Sequence, residues 1–322
     1  MPSQTGLKEL NINHGWPVMV LLPLAGLAKI FHWNPIIVLV VNIVAIIFLS
    51  EAISISSDEL AEHLGELQGA LLSATFGNTV ELTAGILALV HGEIPFAQSV
   101  MVGSILSDIL LYLRLMTGSY PSPEERHWYC SRSTGGYLYF YLGTHKHLFL
   151  SNESETSDDE IEGDSSPPAN RPNLASSIIR LITAVAATVF CTELLLESIG
   201  DMTQTLGVSE VFIAIVFIPI ASNSTEGVTV ITASRTGDTD SAIRVIIDSL
   251  LQIGLFVIPF LVIIGWCIAE PMTLFFDSFQ TVAMFLAILV VNHLLRDGQY
   301  AYIHGAMLLA LYSSLVVAFY AH

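Results

Sequence analysis

The sequence has few charged residues and very few basic ones, and these two deficits exclude most classes of soluble protein. Only 12% of the 322 residues are charged, whereas a soluble domain has about 25%, and the mean hydropathy is +0.66. Eleven Lys and Arg residues stand against 29 Asp and Glu, so the formal net charge is -18. Because this acidity repels nucleic acids and anionic lipid surfaces, cations are the expected partners.

Cysteine clusters and nucleotide-binding motifs are also lacking. The three cysteines, Cys130, Cys191 and Cys267, are far apart and form no C-x-x-C or Cys/His metal spacing. There is no G-x-x-x-x-G-K-[ST] motif, which argues against ATP-driven pumping. The first 15 residues lack the basic and apolar regions of a cleaved signal peptide. We therefore expect no enzyme activity, no cofactor, and neither a nucleotide nor a nucleic acid as partner.

Long apolar runs, in contrast, fill most of the chain. A membrane-spanning helix needs about 20 mostly apolar residues to cross about 30 Å of hydrocarbon. Nine segments meet or nearly meet this requirement: 16–31, 36–56, 69–91, 96–113, 177–199, 208–234, 242–268, 274–295 and 300–321. The sequence therefore predicts an all-α polytopic membrane protein in a lipid bilayer, without β-sheet.

The composition divides the chain into four parts. Residues 1–15 are a polar N-terminus, 16–113 a first helical half, 114–176 a linker and 177–322 a second helical half. The linker is rich in proline and acid, so we expect it to be partly disordered. Two interpretations of its acidic run stay open: a solvated linker, or a segment that binds or regulates a cation. The acidic residues are Glu153, Glu155, Asp158, Asp159, Glu160, Glu162 and Asp164.

The distribution of basic residues predicts the orientation in the membrane. Six of the eleven Lys and Arg residues lie in or at the edge of the central linker: Arg114, Arg126, Arg132, Lys146, Arg171 and Arg180. Since basic loops remain on the cytoplasmic side, we expect a cytoplasmic linker and N-terminus, and His322 on the opposite side. Lys29, near the other end of the first span, is the one exception.

A comparison of the chain with itself reveals an internal repeat at a shift of 145 residues. The shift places Asn78 on Asn223, Glu81 on Glu226 and Ser104 on Ser249 without a gap. The predicted orientation makes segments 69–91 and 208–234 run in opposite directions, so the halves form an inverted repeat. Such repeats bring matched residues together near the bilayer midplane around a pseudo-two-fold axis.

The matched glutamates are candidate cation and proton carriers. A charged side chain at this depth costs about 2.5 to 3.5 kcal/mol or more, so it is a functional candidate by default. Each glutamate follows an asparagine by three positions, which predicts that both side chains share a helix face. Carboxylate and amide oxygens, with carbonyls freed at helix breaks near Gly77 and Pro219, suit Ca2+. The candidate ligands are Glu81, Glu226, Asn78 and Asn223.

The same pair of glutamates predicts coupling to protons. Two close carboxylates in a low dielectric cannot both ionise cheaply, so we expect a proton to bind when no cation is present. Competition of Ca2+ and H+ for one site that opens alternately to each side is sufficient for antiport. Further polar residues are expected to line the cavity: Ser104, Asp108, Ser249, Gln252 and Asp248.

Two motifs carry a resemblance to a known family. GALLSATFGNTVEL at 69–82 and VFIAIVFIPIASNSTEGVTVI at 211–231 are similar to the two repeat motifs of the calcium/proton exchangers, the vacuolar cation/proton antiporters. The segment GSILSDILL at 103–111 adds to this resemblance. It implies an inverted-repeat cation exchanger fold that exchanges Ca2+ for H+ across the vacuolar membrane. It also implies Glu81 and Glu226 as the carriers and an acidic loop between the halves. Mn2+ is a second candidate cargo in our hypothesis.

The chain departs from the family pattern at several positions. Ser222 and Gly227 stand where Gly and His are usual in the second motif, and Asp108 and Asp248 replace a usual Asn and Gly. These changes put ion selectivity and affinity in question. About nine spans are predicted against eleven in the family, because the repeat counterparts of 274–295 and 300–321 are polar.

The apparent loss of two helices leaves a second function open. The segment 113–134 resembles neither a span nor the family, so an incomplete gene model is one explanation. The competing hypotheses are a working antiporter and a shortened, transport-incompetent chain that acts, if at all, as a regulatory partner of an intact exchanger. A channel or a Na+-coupled exchanger is a weaker third. Oligomeric state is left open.

Overall fold

The computed structural model of the chain describes residues 15–31, 33–64, 66–113, 174–236, 238–296 and 302–321. Within these ranges the structure is helical and has no strand, which confirms the predicted all-α class. The uninterrupted helices are α1 Gly15–Ile30, α2 Pro35–Ala61, α3 Glu66–Gly77, α4 Thr79–Val90, α6 Leu174–Leu206, α8 Ser224–Arg235, α10 Ser278–Arg296 and α11 Tyr302–Ala321. Helix α5 consists of Ile94–Leu106 followed by the π-helical turn Ser107–Tyr112. Helices α7 (Glu210–Phe212 and Ile218–Ser222) and α9 (Thr239–Gln252 and Ile258–Cys267) each contain a π-helical turn between their two α-helical parts, Ile213–Phe217 and Ile253–Val257.

Each of the nine predicted segments corresponds mainly to one of these helices or bent pairs, although α10 begins only at Ser278, four residues after the predicted start at 274, and the capacity to span a membrane differs. Five helices are long and apolar enough by themselves, and the bent pairs α3–α4 and α7–α8 raise the number to seven. The remaining two, Pro17–Ile30 in α1 and Ser278–Leu294 in α10, are shorter apolar helices. The described residues therefore contain five to seven spans by length and composition, and the total of nine stays a prediction.

Two π-helical turns occupy matching places in the two halves. The turn Ser107–Tyr112 ends α5, and the turn Ile253–Val257 lies inside α9. A shift of 145 residues superposes most of one turn on the other. Because a π-helical turn inserts an extra residue and rotates the side chains that follow, the matching turns repeat a structural feature in addition to a sequence pattern.

The antiparallel pair α2 and α6 forms the centre of the larger core cluster. Ala45 of α2 and Ala184 of α6 are buried there, and such small side chains let membrane helices approach closely. At one end of the pair Glu59 accepts hydrogen bonds from Arg180 and Ser177.

At the opposite end of this helix pair, Lys29, the basic residue that did not fit the predicted charge pattern, has an acidic partner. Lys29 Nζ lies 3.5 Å from the carboxylate of Glu197 on α6 and 3.4 Å from the hydroxyl of Ser198. An acidic partner therefore offsets the charge of Lys29 at this end of α1.

A glycine sets the distance between α5 and α7. A Cβ atom on Gly103 would lie 2.4 Å from the carbonyl oxygen of Ile215 and 2.7 Å from Cγ of Pro219. Only glycine permits the two backbones to come this close. This contact places the end of α7, and the break that follows it, directly beside α5.

Candidate cation-binding site

Both repeat motifs lie at sharp helix breaks. Helix α3 meets α4 at an angle of 58° and α7 meets α8 at 54°. Asn78 is the N-cap residue of α4 and Asn223 is the N-cap residue of α8, and neither side chain caps its own helix. Glu81 and Glu226 lie in the first turns of the two helices. The positive end of a helix dipole therefore lies beside each carboxylate, where it favours negative charge.

The breaks add a detail that the sequence does not show. The sequence predicts that Asn78 and Glu81 share a helix face, and Asn223 and Glu226 likewise. Since each asparagine stands at the junction itself, its side chain reaches a neighbouring helix, while the glutamate follows the axis of the next helix.

The two asparagines make matching contacts across the halves. Nδ2 of Asn78 donates to Oε1 of Gln252 over 2.7 Å, and Nδ2 of Asn223 donates to Oγ of Ser107 over 3.0 Å. Ser107 and Gln252 are themselves related by the shift of 145 residues. Each motif of one half is therefore anchored to the equivalent position of the other half, as an inverted repeat predicts.

Asp108 joins three helices in one buried network. Only 1% of this residue is exposed. Its Oδ1 accepts from Nδ2 of Asn223 over 2.8 Å, and its Oδ2 accepts from Oγ of Ser249 over 2.8 Å. The equivalent residue of the second half is Ile253, so the site carries this third carboxylate on one side only.

Asp108→Ala is expected to destabilise the protein by about 1 to 3 kcal/mol, because it leaves two buried donors without an acceptor. Asp108→Asn has nearly the same volume, and its amide can accept from Asn223 while donating to the Ser249 hydroxyl. We therefore expect Asp108→Asn to lose markedly less stability, as measured by thermal unfolding in detergent. Equal losses for the two variants would contradict this assignment of the network.

Glu81 and Glu226 differ in how well their oxygen atoms are satisfied. Glu81 is buried, and Oγ of Ser104 donates to its Oε1 over 3.4 Å. Oε2 of Glu226 is buried and has no hydrogen-bond partner among the described residues. Glu81 and Asp108 are the acidic groups close enough to repel its charge. A buried, unsatisfied carboxylate oxygen requires a compensating proton or cation.

The site can offer a cation several kinds of oxygen ligand. Within the described residues no three His, Cys, Asp or Glu side chains are grouped closely enough to hold a metal ion. The carboxylates of Glu81 and Glu226 therefore need amide, hydroxyl or water oxygens to complete a shell of about six to eight ligands around Ca2+.

Ser50 and Tyr112, which no sequence pattern indicated, donate hydrogen bonds to backbone carbonyls at the α7–α8 break. Oγ of Ser50 donates to the carbonyl of Ser222 over 3.0 Å, and the hydroxyl of Tyr112 donates to the carbonyl of Asn223 over 2.6 Å. The sequence predicts that carbonyls freed at the breaks are available to a cation. At the α7–α8 break both carbonyls already accept hydrogen bonds from neighbouring helices.

Asp248 is the one predicted cavity residue that the structure does not bring into this network. Its side chain is exposed, and the nearby opposite charge is that of Arg244, one turn earlier on α9. Ser249 and Gln252 bond into the site, whereas Asp248 lies about 100° away from Ser249 around the helix axis.

Comparisons with known proteins agree with this architecture. The family described as "Sodium/calcium exchanger protein" matches residues 34–140 and 176–321. The vacuolar calcium ion transporter of Schizosaccharomyces pombe is 33% identical, with 94% of this chain and 84% of that protein covered. The Ca2+/H+ antiporter of Synechocystis is 28% identical, with coverages of 95% and 96%.

Solved structures share the fold. The crystal structure of the Ca2+/H+ antiporter protein YfkE superposes with a TM-score of 0.73 at 24% identity, covering 96% of this chain and 99% of that chain. The family match extends over both helical halves and includes both glutamate motifs. The chain therefore belongs to the sodium/calcium exchanger protein family.

Proposed function

We propose that this protein is a secondary antiporter that exchanges Ca2+ for H+. The observation that carries the proposal is the pair of glutamates in the first turns after two matching helix breaks, one of which has a buried, unsatisfied oxygen. Relatives named as calcium transporters and Ca2+/H+ antiporters match more than nine tenths of the chain and support this substrate class. Mn2+, another hard divalent cation, is a second candidate cargo.

In this mechanism Glu81 and Glu226 carry either the cation or protons. When Ca2+ enters, its charge compensates both carboxylates, and their protons leave. When Ca2+ leaves, the repulsion among Glu81, Glu226 and Asp108 favours renewed proton binding. Asn78 and Asn223 supply amide groups at the junctions. The two cargoes therefore exclude one another, which is the condition for obligatory exchange.

The difference between the two halves supports alternating access. Val216 on α7 is 6% exposed, whereas its repeat counterpart Leu71 on α3 is 61% exposed. Val216 belongs to a core cluster that includes residues of α5, whereas Leu71 lies largely exposed on α3. Two halves that are related by sequence but packed differently are what a transporter open to one side requires.

The location of the protein follows from its relatives and its charge pattern. We propose the vacuolar membrane, because the relative from S. pombe is named as a vacuolar transporter. The excess of basic residues in and beside the linker favours a cytoplasmic N-terminus. The acidic run at 153–164 lies outside the described residues, and its regulatory role stays a prediction, as does any oligomer.

A transport-incompetent chain remains the competing proposal, and one observation favours it. The alignment to the S. pombe transporter spans 352 positions, more than the 322 residues of this chain. That transporter therefore has residues inside the aligned region that this chain lacks. The positions where the repeat predicts the two missing helices, near 129–150 and 155–176, fall almost entirely in residues that the structure does not describe.

The decisive experiment reconstitutes the purified chain in lipid vesicles with an acidic interior. We expect uptake of radioactive Ca2+ that stops when a protonophore collapses the pH gradient, because H+ is the driving ion. Vesicles without protein are the control, and Na+-loaded vesicles without a pH gradient test Na+ coupling. Absence of uptake by a folded, monodisperse chain would favour the transport-incompetent alternative.

A further inference from the structure

Tyr112 contacts the candidate site from an unexpected direction. It is the last residue of the π-helical turn that ends α5, and its side chain is buried. Its hydroxyl donates to the backbone carbonyl of Asn223 over 2.6 Å. That carbonyl stands at the junction of α7 and α8, where it also accepts from the amide of Gly227 over 2.9 Å.

The aromatic ring of Tyr112 packs against the backbone of α8. A Cβ atom on Gly227 would lie 2.3 Å from Cε1 of Tyr112, 3.0 Å from Cζ and 3.2 Å from Cδ1. The hydroxyl contact to Asn223 holds this ring in place, so it cannot yield to a side chain there. Glycine is a poor helix former, and its presence in the second turn of α8 is explained by this contact.

The pair joins the two halves, and the repeat-related positions do not reproduce it. The repeat counterpart of Tyr112 is Val257, and that of Gly227 is Leu82. The repeat-related positions therefore hold a leucine in place of Gly227 and a valine, which has no hydroxyl, in place of Tyr112. Each departure from the repeat compensates for the other, because a large ring requires an empty position beside it.

We infer that Tyr112 is a positioning residue of the cation site. It holds the α7–α8 junction through the Asn223 carbonyl and so sets the start of the helix turn that carries Glu226. Gly227, directly after Glu226, is the complementary surface that lets the ring reach this position. The inference rests on the proposed exchange function, because it assigns Tyr112 to the site that binds Ca2+.

Tyr112→Phe tests the hydrogen bond. The variant keeps the ring and loses the hydroxyl, so we expect a roughly five- to tenfold higher Ca2+ concentration for half-maximal uptake. The maximal rate should change by less than about twofold, because the ring still packs on Gly227.

The matched control is Tyr312→Phe. This hydroxyl on α11 is buried without a hydrogen-bond partner among the described residues, so its removal should leave uptake unchanged. Equal Ca2+ dependence of Tyr112→Phe and the unsubstituted protein would overturn the inference.

Replacing Tyr112 and Gly227 with the residues at their repeat counterparts tests the complementary shape. Gly227→Leu alone should lower the thermal unfolding temperature in detergent, because the side chain collides with the ring. Adding Tyr112→Val should restore the unfolding temperature but not the low Ca2+ requirement, since the hydroxyl is still missing. An unchanged unfolding temperature for Gly227→Leu, or no recovery in the double variant, would contradict the assignment.

The uptake and unfolding measurements distinguish a failure of the proposed function from a failure of the inference about Tyr112. If the unsubstituted chain takes up no Ca2+, the proposed function fails. The unfolding temperatures then still decide whether Tyr112 and Gly227 are complementary, because they do not depend on transport.

Discussion

Glu81→Gln and Glu226→Gln are each expected to reduce pH-driven Ca2+ uptake by roughly 100-fold or more. Removing one partner from a buried charge arrangement costs about 3 to 5 kcal/mol, which corresponds to factors above 100 in affinity. Glutamine keeps the volume and a carbonyl oxygen but cannot release a proton. The two substitutions should therefore remove both Ca2+ binding and proton transport, measured as Ca2+ uptake and as proton efflux from the same vesicles.

Glu210→Gln is the matched control for this pair. Glu210 lies at the start of α7, on the same bent pair of helices as Glu226, but its side chain is exposed. The change should leave uptake close to that of the unsubstituted chain. If Glu81 or Glu226 could be replaced with no greater loss than Glu210, the two-carboxylate mechanism would be wrong.

Gly103→Val is expected to cause the largest loss of folding stability. A Cβ atom there would meet backbone and proline atoms of α7 at 2.4 to 2.7 Å, and backbone yields less readily than a flexible side chain. We expect a destabilisation of about 3 kcal/mol or more, because the helices must separate. Thermal unfolding and the yield of monodisperse protein in detergent measure this effect.

Gly200→Ala on α6 is expected to have the opposite effect and to stabilise the protein. No heavy atom lies within 4 Å of a Cβ atom at this position, so the added methyl group meets open space. Alanine is the better helix former, and we expect a gain of about 0.5 to 1 kcal/mol. A loss at Gly200 as large as that at Gly103 would show that the close contact of α5 and α7 is not the cause.

Several features were accessible from the sequence because each depends on a local or repeated pattern. Apolar runs predict helices, since lipid leaves backbone groups no other partner. The 145-residue shift pairs Glu81 with Glu226, and the structure places both in first turns after matching breaks. Gly77 and Pro219 pointed to the vicinity of these breaks but not to Asn78 and Asn223 as the junctions themselves.

Other features depended on the rotation of one helix against another. Ser249 and Asp248 are adjacent, yet only Ser249 bonds into the network. Hydrophobic patterning could not decide between them, because both residues are polar and lie only about 100° apart around the helix axis. The roles of Ser50 and Tyr112 were missed for a related reason. No local pattern indicates which side chain will reach a carbonyl that lies more than 100 residues away in the chain.

The sequence by itself therefore determined the class of the protein, its inverted repeat and the two glutamates, because lipid solvation and internal symmetry leave traces in residue order. Only the tertiary structure decided how these residues are used. It placed the asparagines at the junctions, gathered Asp108, Ser249 and Asn223 into one network, and set Tyr112 against Gly227. These contacts depend on helix rotation and on distances of a few ångströms between backbones, which the order of residues does not specify.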